Sequence, residues 1–408
     1  MGVGKGWRSG PGPGRVDWAW RIGRGLGVLP LGWGSAGVRP FRQDTAQTFC
    51  ADLTNLKKGV DFCSDTELCL PQQQNKRFQP KLKGGMNMST TPNIELILNT
   101  TIGIEVEMTG ITREKAATVA ATVLGGCSIY KGGTYGKWVC IDNRGREWAF
   151  VSDASIHAVN ERGRRVDNRS GYSCELNTPP ITYAEDMEKF QELIRALRSA
   201  GAVSGTQYGC GIHIHVSGKG HTVKTVKNFI HLLYSNDEVI RKSLGVTDDR
   251  QRWCQPIDTR LVEAVKNADT LEKLADAWYE TYSPDEERYF HYNSSRYHIL
   301  NLHRYFSTLG KKSNTIEIRA FNASLHAGEI RAYALLVLSM NASALTQKNI
   351  RALKNPIMQA GNEKFAMRTW LNRMGWTGEM YKNPHKLFIK RLSGDAAWRF
   401  GKNGDLYR

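Results

Sequence analysis

Three short stretches of the sequence place residues that could bind a cation at alternate positions. They read T-I-G-I-E-V-E-M-T-G at residues 101–110, G-I-H-I-H-V-S-G at 211–218 and T-I-E-I-R-A at 315–320. Strict alternation of apolar and polar residues is typical of a half-buried strand, whose polar side chains all lie on one face. The polar positions with chemical potential are Glu105, Glu107, His213, His215, Glu317 and Arg319.

A shared polar face would combine carboxylates, imidazoles and a guanidinium. If the apolar faces of the three strands pack on one core, their polar faces form one surface. Glu105 and Glu107 then lie about 7 Å apart and repel each other unless a cation or solvent offsets their charge. Carboxylates with an imidazole suit a hard divalent cation, and Arg319 adds a fork of donors for an anion. Glu175, on a short strand predicted at 174–181, offers a further carboxylate.

This set of residues suits phosphoryl transfer. Two divalent cations held by carboxylates and an imidazole can clamp the phosphates of ATP, and an arginine can offset charge on the transferred γ-phosphoryl group. No G-x-x-x-x-G-K-[ST] loop occurs, so cations and arginine would have to hold the phosphates. Phosphorylation of a carboxylate gives an acyl phosphate, which an amine converts into an amide. A metal-dependent amidohydrolase, which uses the same cations to activate water, is one alternative.

Each pair of residues also has an ordinary structural explanation. Glutamates often lie on a solvated strand face, one histidine of an H-x-H strand is often a hydrogen-bonded structural residue, and a surface Glu–Arg pair contributes little to stability. The three strands together indicate a site because, on each of them, the polar residues alternate with apolar residues in the same way and would lie on one face of a sheet.

The strands that position these residues are interrupted by a predicted hairpin. Residues 137–142 and 147–153 form it around an Asn-Arg-Gly turn, which places Asp153 and Ser155 where the second strand ends. Residues 94–98 are predicted as a first strand or lead-in. Residues 296–305 are predicted to run extended and to turn near 310–312 into the Glu317 strand.

Helices are predicted between the strands. The helix that begins near residue 182 opens on a capping box made by Thr182 and Glu185. A small helical cap is predicted in the tryptophan-bearing tail from residue 361. The remaining predicted helices are 112–124, 182–200, 222–234, most of 259–282, and 329–345.

The composition allows several classes of partner. The chain has 408 residues, 40% of them hydrophobic, and a formal net charge of +17. This charge suits nucleic acid, phosphate ligands or an anionic membrane, and does not choose among them. A basic nucleic-acid-binding protein with a structural Glu/His face is therefore a second alternative. Against it, many of the surplus lysines and arginines fall in the first residues and in loops, not on a strand face interleaved with aromatic residues.

The cysteines and the apolar runs of the sequence indicate the cellular compartment in which the protein is expected. The eight cysteines form no C-x-x-C pair, which favours reduced thiols in the cytoplasm over a disulfide framework or a zinc ribbon. The longest apolar run near the C-terminus, about nine residues around 332–338, is shorter than the roughly 20 that a membrane helix needs.

Residues 1–87 differ from the remainder of the chain. They are rich in glycine and arginine and show no persistent period, so they are predicted to be disordered. They are interpreted as a basic arm, a transit peptide, or the product of a start codon assigned too early; the last is favoured, with Met86 or Met88 as the true start. The predicted domains are then 88–345 and a helical C-terminal cap, 346–408.

The ordered series of motifs resembles the amidoligase family, which is related to glutamine synthetase and glutamate–cysteine ligase. The motifs are G-I-E-V-E, V-S-D-A-S, E-L-N-T-P-P, G-C-G-I-H-I-H-V-S and N-T-I-E-I-R-A-F, spread over residues 88–345. The resemblance implies an α+β fold like the glutamine synthetase catalytic domain, with helices on one face of a mostly antiparallel curved sheet that cups two Mg²⁺ ions, or Mn²⁺. It also implies an ATP-dependent ligase that joins an amino-acid or peptide carboxylate to an amine, often encoded by phages or mobile elements.

The resemblance assigns a role to each motif residue. It implies that the metal ligands are Glu105, Glu107, Glu175, His213 and Glu317. His215 and Arg319 resemble the phosphate-contacting, catalytic residues. Asp153 and Ser155 match a D-x-S of the substrate or nucleotide pocket, to which Asn301 is also assigned. Glutamine synthetases have an additional metal-binding glutamate near the position of Glu175, and no counterpart is evident on the same predicted strand.

Overall fold

The structure, a computed structural model, describes residues 94–308 and 314–401. The segment at 1–87 and the turn predicted at 310–312 lie outside the described residues. The described chain contains α-helices, strands and short 3-10 helices. The α-helices are α1 Ile94–Asn99, α2 Arg113–Leu124, α3 Tyr183–Ser199, α4 Val223–Leu244, α5 Asp248–Gln251, α6 Thr259–Ala264, α7 Leu271–Tyr282, α8 His303–Ser307, α9 Ala327–Thr346, α10 Glu363–Arg373 and α11 Glu379–Ile389. The strands are β1 Ile102–Met108, β2 Cys127–Gly132, β3 Lys137–Ile141, β4 Glu147–Val151, β5 Cys174–Asn177, β6 Gly211–Ser217, β7 Leu300–Asn301 and β8 Thr315–Asn322. The 3-10 helices are Asn168–Ser170, Thr206–Tyr208, Val265–Asn267, Ser294–Arg296 and Met358–Ala360.

The eight strands of the described chain form one curved sheet. Their order is β2-β3-β4-β5-β1-β6-β8-β7, and every neighbouring pair is antiparallel. The predicted combination of helices with an antiparallel curved sheet is thereby confirmed. The specific likeness to glutamine synthetase and the domain bounds at 88, 345 and 346 stay predictions.

The apolar faces of the predicted strands do pack on one core. Ile102, Ile104, Val106 and Met108 of β1 are each at most 1% exposed. Helix α9 is buried along almost its whole length, as its apolar composition predicted. Because these alternate side chains of β1 point into the core, Glu105 and Glu107 between them point to the opposite face of the sheet.

Several predicted elements are confirmed with small shifts of their ends. The hairpin forms as β3 and β4, and the short Glu175 strand forms as β5. Thr182 caps α3 by accepting a hydrogen bond from the backbone N–H of Glu185, at 3.3 Å. The return bond of the predicted capping box comes from Asp186, which accepts from the Thr182 N–H at 3.0 Å, so the partner predicted for that bond was wrong.

Three segments differ from prediction. Residues 94–98 form helix α1 because β1 already pairs with β5 and β6, which leaves no strand edge for them, and α1 packs against α9 instead. Residues 296–305 are extended only at β7, since the Asn301 side chain accepts the His303 N–H at 2.9 Å and starts α8. Strand β2 was missed because it lies at the sheet edge, half-buried or exposed along its length, without an apolar alternation.

The predicted lack of a membrane helix agrees with the described residues, in which no helix is both long and apolar enough to cross a bilayer. Four cysteines of the same residues, Cys140, Cys174, Cys210 and Cys254, are buried thiols.

Candidate active site

Strand register brings the polar residues of the motifs into contact. Glu105 of β1 lies opposite His213 of β6, and His215 lies opposite Glu317 of β8. On the other side of β1, Glu107 lies opposite Glu175 of β5. Four neighbouring strands therefore contribute to one polar face.

The first of two cation-binding candidates among the described residues contains Glu105, His213 and Glu317. One ligand atom from each residue lies within 4.8 Å of the others. His213 Nδ1 lies 2.9 Å from Glu105 Oε2 and 3.8 Å from Glu317 Oε1. All three residues were predicted as metal ligands.

The second candidate contains Glu107, Asp153 and Glu175, whose carboxylate oxygens also lie within 4.8 Å of one another. Asp153 reaches this position because β4 pairs with β5, with Val151 opposite Glu175. The sequence assigned Asp153 to a substrate pocket and left this group one carboxylate short. The sequence feature that could have indicated this role is the position of Asp153 in a D-x-S motif directly after β4.

The electrostatics of the second group favour a bound cation. Burial, and to a smaller extent the neighbouring Asp153, raise the pKa of Glu107 to about 8, although Arg250 and the Gly211 N–H act in the opposite direction. Burial also raises the pKa of Glu175, and Glu105 and Glu107 add to the increase. These carboxylates can be ionised together only if a cation offsets their charge. The residues present therefore fit a divalent metal ion.

Glu317 is held ionised within the first group. Burial acts to raise its pKa, but the Arg319 guanidinium together with His215 and His213 outweighs burial and lowers the pKa to about 2. Arg319 Nη1 donates to Glu317 Oε1 at 2.5 Å, and Asn301 Nδ2 donates to Glu317 Oε2 at 2.6 Å. The structure therefore places Asn301 against Glu317, where it orients that carboxylate.

His215 and Arg319, the predicted phosphate-contacting residues, lie beside the first group. His215 Nε2 is 3.0 Å from Glu105 Oε1. Burial lowers the pKa of His215, but Glu105 and Glu317 outweigh burial and raise it. Arg319 Nε donates to the Trp253 carbonyl oxygen at 3.2 Å, so part of its donor fork is held by protein.

Ser155 holds Asp153 in place. The Asp153 Oδ1 atom accepts hydrogen bonds from the Ser155 N–H at 2.6 Å and from its hydroxyl at 2.5 Å. Both members of the D-x-S motif thus lie at the second group.

Arg250, a residue not predicted to belong to the site, lies on α5 over the polar face. Its side chain is 5% exposed, and its Nη2 lies 2.9 Å from His213 Nε2. A Cβ added to Gly211 would lie 2.2 Å from the guanidinium, so glycine is needed there for this close approach. The glycine before I-H-I-H was a signal, but sequence alone does not reveal which side chain needs the space.

Comparison with known proteins identifies the family. Residues 98–341 match a family model described as "Putative amidoligase enzyme". No curated protein matches the chain. The family match covers more than half of the chain and contains every residue of both candidate groups. This protein is therefore a member of the amidoligase family.

Proposed function

We propose that this protein is an ATP-dependent carboxylate–amine ligase that binds two divalent cations. The observation that carries the proposal is the pair of three-residue groups on one sheet face, Glu105–His213–Glu317 and Glu107–Asp153–Glu175. Family membership supports a ligase-type enzyme. Mg²⁺ is the expected cation, and Mn²⁺ is a natural substitute at oxygen-rich sites.

Each group has a separate task in this proposal. When bound, the cations supply charge neutralisation for the phosphates and for the acid substrate. Glu105, His213 and Glu317 hold the phosphate side, where His215 and Arg319 face the transferred group. Glu107, Asp153 and Glu175 hold the carboxylate side. The short distance between the groups brings both reactants together.

The proposed reaction has two steps. An oxygen of the substrate carboxylate attacks the γ-phosphorus of ATP, the bond to the bridging oxygen breaks, and ADP leaves. The product is an acyl phosphate. An amine nitrogen then attacks the acyl carbon, inorganic phosphate leaves, and the nitrogen loses a proton to give the amide. The acid is expected to be an amino-acid or peptide carboxylate.

The test uses the full chain with ATP, Mg²⁺, pooled amino acids and hydroxylamine, which traps an acyl phosphate as a hydroxamate. We expect ADP and hydroxamate to form together, and the Glu317→Gln variant to lose this activity by roughly 100-fold with its fold retained. This variant keeps the side-chain size and removes one anionic ligand. Full activity in Glu317→Gln would contradict the metal assignment. Amide cleavage without ATP would instead support the hydrolase.

A further inference from the structure

His213 faces both candidate groups, and Arg250 contacts its second nitrogen. The ring's Nδ1 lies 2.9 Å from Glu105 Oε2, and its Nε2 lies 4.0 Å from Glu107 Oε1. Arg250 Nη2 approaches the same Nε2 at 2.9 Å. Arg250 and Glu107, a member of the second group, therefore both approach the same ring nitrogen.

The contact with Arg250 fixes which ring nitrogen carries the proton. A guanidinium can only donate hydrogen bonds, so Nε2 of His213 must be the acceptor. The single N–H of the neutral ring is then on Nδ1, from which it donates to Glu105 Oε2. In this arrangement the free lone pair of the ring points at Arg250 and away from Glu105 and Glu317.

That arrangement is incompatible with His213 as a ligand in the first group. An imidazole binds a cation through a lone pair, so ligation by Nδ1 puts the ring's N–H on Nε2. Two donors, Nε2–H and the Arg250 Nη2–H, would then face each other. Glu107 Oε1 is the carboxylate oxygen positioned for this N–H, and metal-bound histidines commonly donate their second N–H to such a group.

We propose that Arg250 is a positioning residue that competes with a divalent cation for His213. It holds the imidazole in the form that cannot bind at the first group, and it moves off Nε2 when a cation binds to Glu105, His213 and Glu317. This inference rests on the cation site of the proposed function.

The surroundings of Arg250 are consistent with such a movement. Its buried Nε atom has no hydrogen-bond partner within the described chain. The other acceptor near Nη2 is the Arg319 carbonyl oxygen, at a longer 3.4 Å. Few hydrogen bonds therefore oppose the departure of the guanidinium from His213, although its charge is also attracted by Glu107.

The test measures Mn²⁺ affinity without ATP, from the electron paramagnetic resonance signal of free Mn²⁺. Arg250→Met removes the competing donor and should tighten binding roughly tenfold, the effect of one hydrogen bond to a charged group. Gly211→Ala keeps the charge but places a Cβ against the guanidinium, so it should tighten binding in the same direction. Arg252→Met, an exposed arginine on the same segment, is the matched control and should change affinity less than twofold.

A double-mutant cycle with His213→Ala separates the imidazole from simple charge repulsion. In that background Arg250→Met should no longer tighten binding. A gain that persists without His213 would overturn the inference, and so would unchanged affinity in both Arg250→Met and Gly211→Ala. If the wild-type protein binds no Mn²⁺, the cation site of the proposed function fails as well. Thermal unfolding of each variant verifies that it is folded.

Discussion

At the scale of the residue, strand β1 contributes one glutamate to each of the two candidate cation sites. Glu105 and Glu107 are two positions apart on β1, yet each belongs to a different three-residue group. Two strand residues on the same face are about 7 Å apart, a distance that allows adjacent cations. The two glutamates therefore belong to separate candidate cation sites. Glu105 is grouped with His213 and Glu107 with Asp153.

Asp153 is the residue whose assigned role changes most, and it can be tested alone. Asp153→Asn keeps an oxygen that can accept from Ser155 and removes the negative charge. We expect at least roughly tenfold weaker Mn²⁺ binding to the second group and a comparable loss of hydroxamate formation, because loss of even an outer-shell partner costs 10–100-fold. Two-site Mn²⁺ titration and the hydroxamate assay measure these effects.

The control for this experiment is Asp167→Asn, which removes the same charge from an exposed position on the following loop. It should leave both quantities within twofold. Equal behaviour of the Asp153 and Asp167 variants would contradict the role of Asp153 as a ligand.

At the scale of the element, an irregularity between β6 and β8 sets the geometry of the first group. Ile212 pairs with Phe321 and Ile214 with Ile318, so His213 lies opposite two residues of β8, 319 and 320. A bulge of this kind takes up one extra residue and changes the direction of neighbouring side chains. It keeps Arg319 beside Glu317 and returns Phe321 to the core, where its ring stacks on Tyr333 at 4.6 Å.

The β3–β4 hairpin that leads to Asp153 depends on a buried carboxylate in its turn. Asp142 accepts hydrogen bonds from the backbone N–H groups of Arg144 and Arg146 and from Trp148 Nε1, at 2.8–3.0 Å. Burial raises the pKa of Asp142, but these bonds and the Arg146 guanidinium outweigh burial and hold the pKa below its ordinary value. The ionised form therefore stabilises the folded state.

This stabilisation should depend on pH. Because the folded pKa is lowered, it is fully present above the unfolded pKa of about 3.9 and is lost as pH falls through the folded pKa. Asp142→Asn should lower the free energy of unfolding by about 1.5–3 kcal/mol at pH 7 and by less near pH 3, as measured by urea denaturation. Glu147→Gln, an exposed carboxylate in the same hairpin, should cost less than about 1 kcal/mol. A loss that is equal at both pH values would contradict the argument.

At the scale of the whole molecule, the centre of the polar face is covered, whereas Glu105, Asp153 and Glu175 are partly exposed. Glu107, His213 and Glu317 are each 5% exposed or less. The segment from Arg250 to Trp253 lies over them. The Arg250 guanidinium packs against Gly211, and the Trp253 carbonyl oxygen accepts a hydrogen bond from Arg319. Because buried like charges repel more strongly than exposed ones, the carboxylates of this face need nearby positive charge, which Arg250 and Arg319 supply in part.

The C-terminal tail shares the core of the described chain. Trp376 is 1% exposed, and its Nε1–H donates to Ser339 Oγ of α9 at 2.8 Å. Trp376→Ala should therefore lower the free energy of unfolding of the whole protein by about 3–5 kcal/mol. We expect one cooperative transition, shifted to lower denaturant, when tryptophan fluorescence and circular dichroism are compared. Trp398→Ala, an exposed tryptophan of the same tail, should cost less than about 1 kcal/mol. Two separate transitions in Trp376→Ala would indicate that the tail is an independent domain.

The sequence by itself indicated strands β1, β6 and β8 and the face of each that carries polar residues, because alternation is a local property of neighbouring residues. The resemblance to the amidoligase family, carried by the same motifs, implied the antiparallel sheet and the metal-ligand roles of five of the six residues in the two groups. The sequence also predicted the capped helices, whose start signals are local.

Only the tertiary structure decided which residues share a candidate cation site. Asp153 joins Glu107 through the pairing of β4 with β5, and Arg250 reaches His213 from a helix 37 positions along the chain. Partnerships of this kind depend on strand order, a bulge and the close approach permitted by Gly211, none of which leaves a periodic pattern in the sequence. The local alternation of apolar and polar residues places the candidate ligands on their strands. Contacts between residues far apart in the sequence bring them together in two groups.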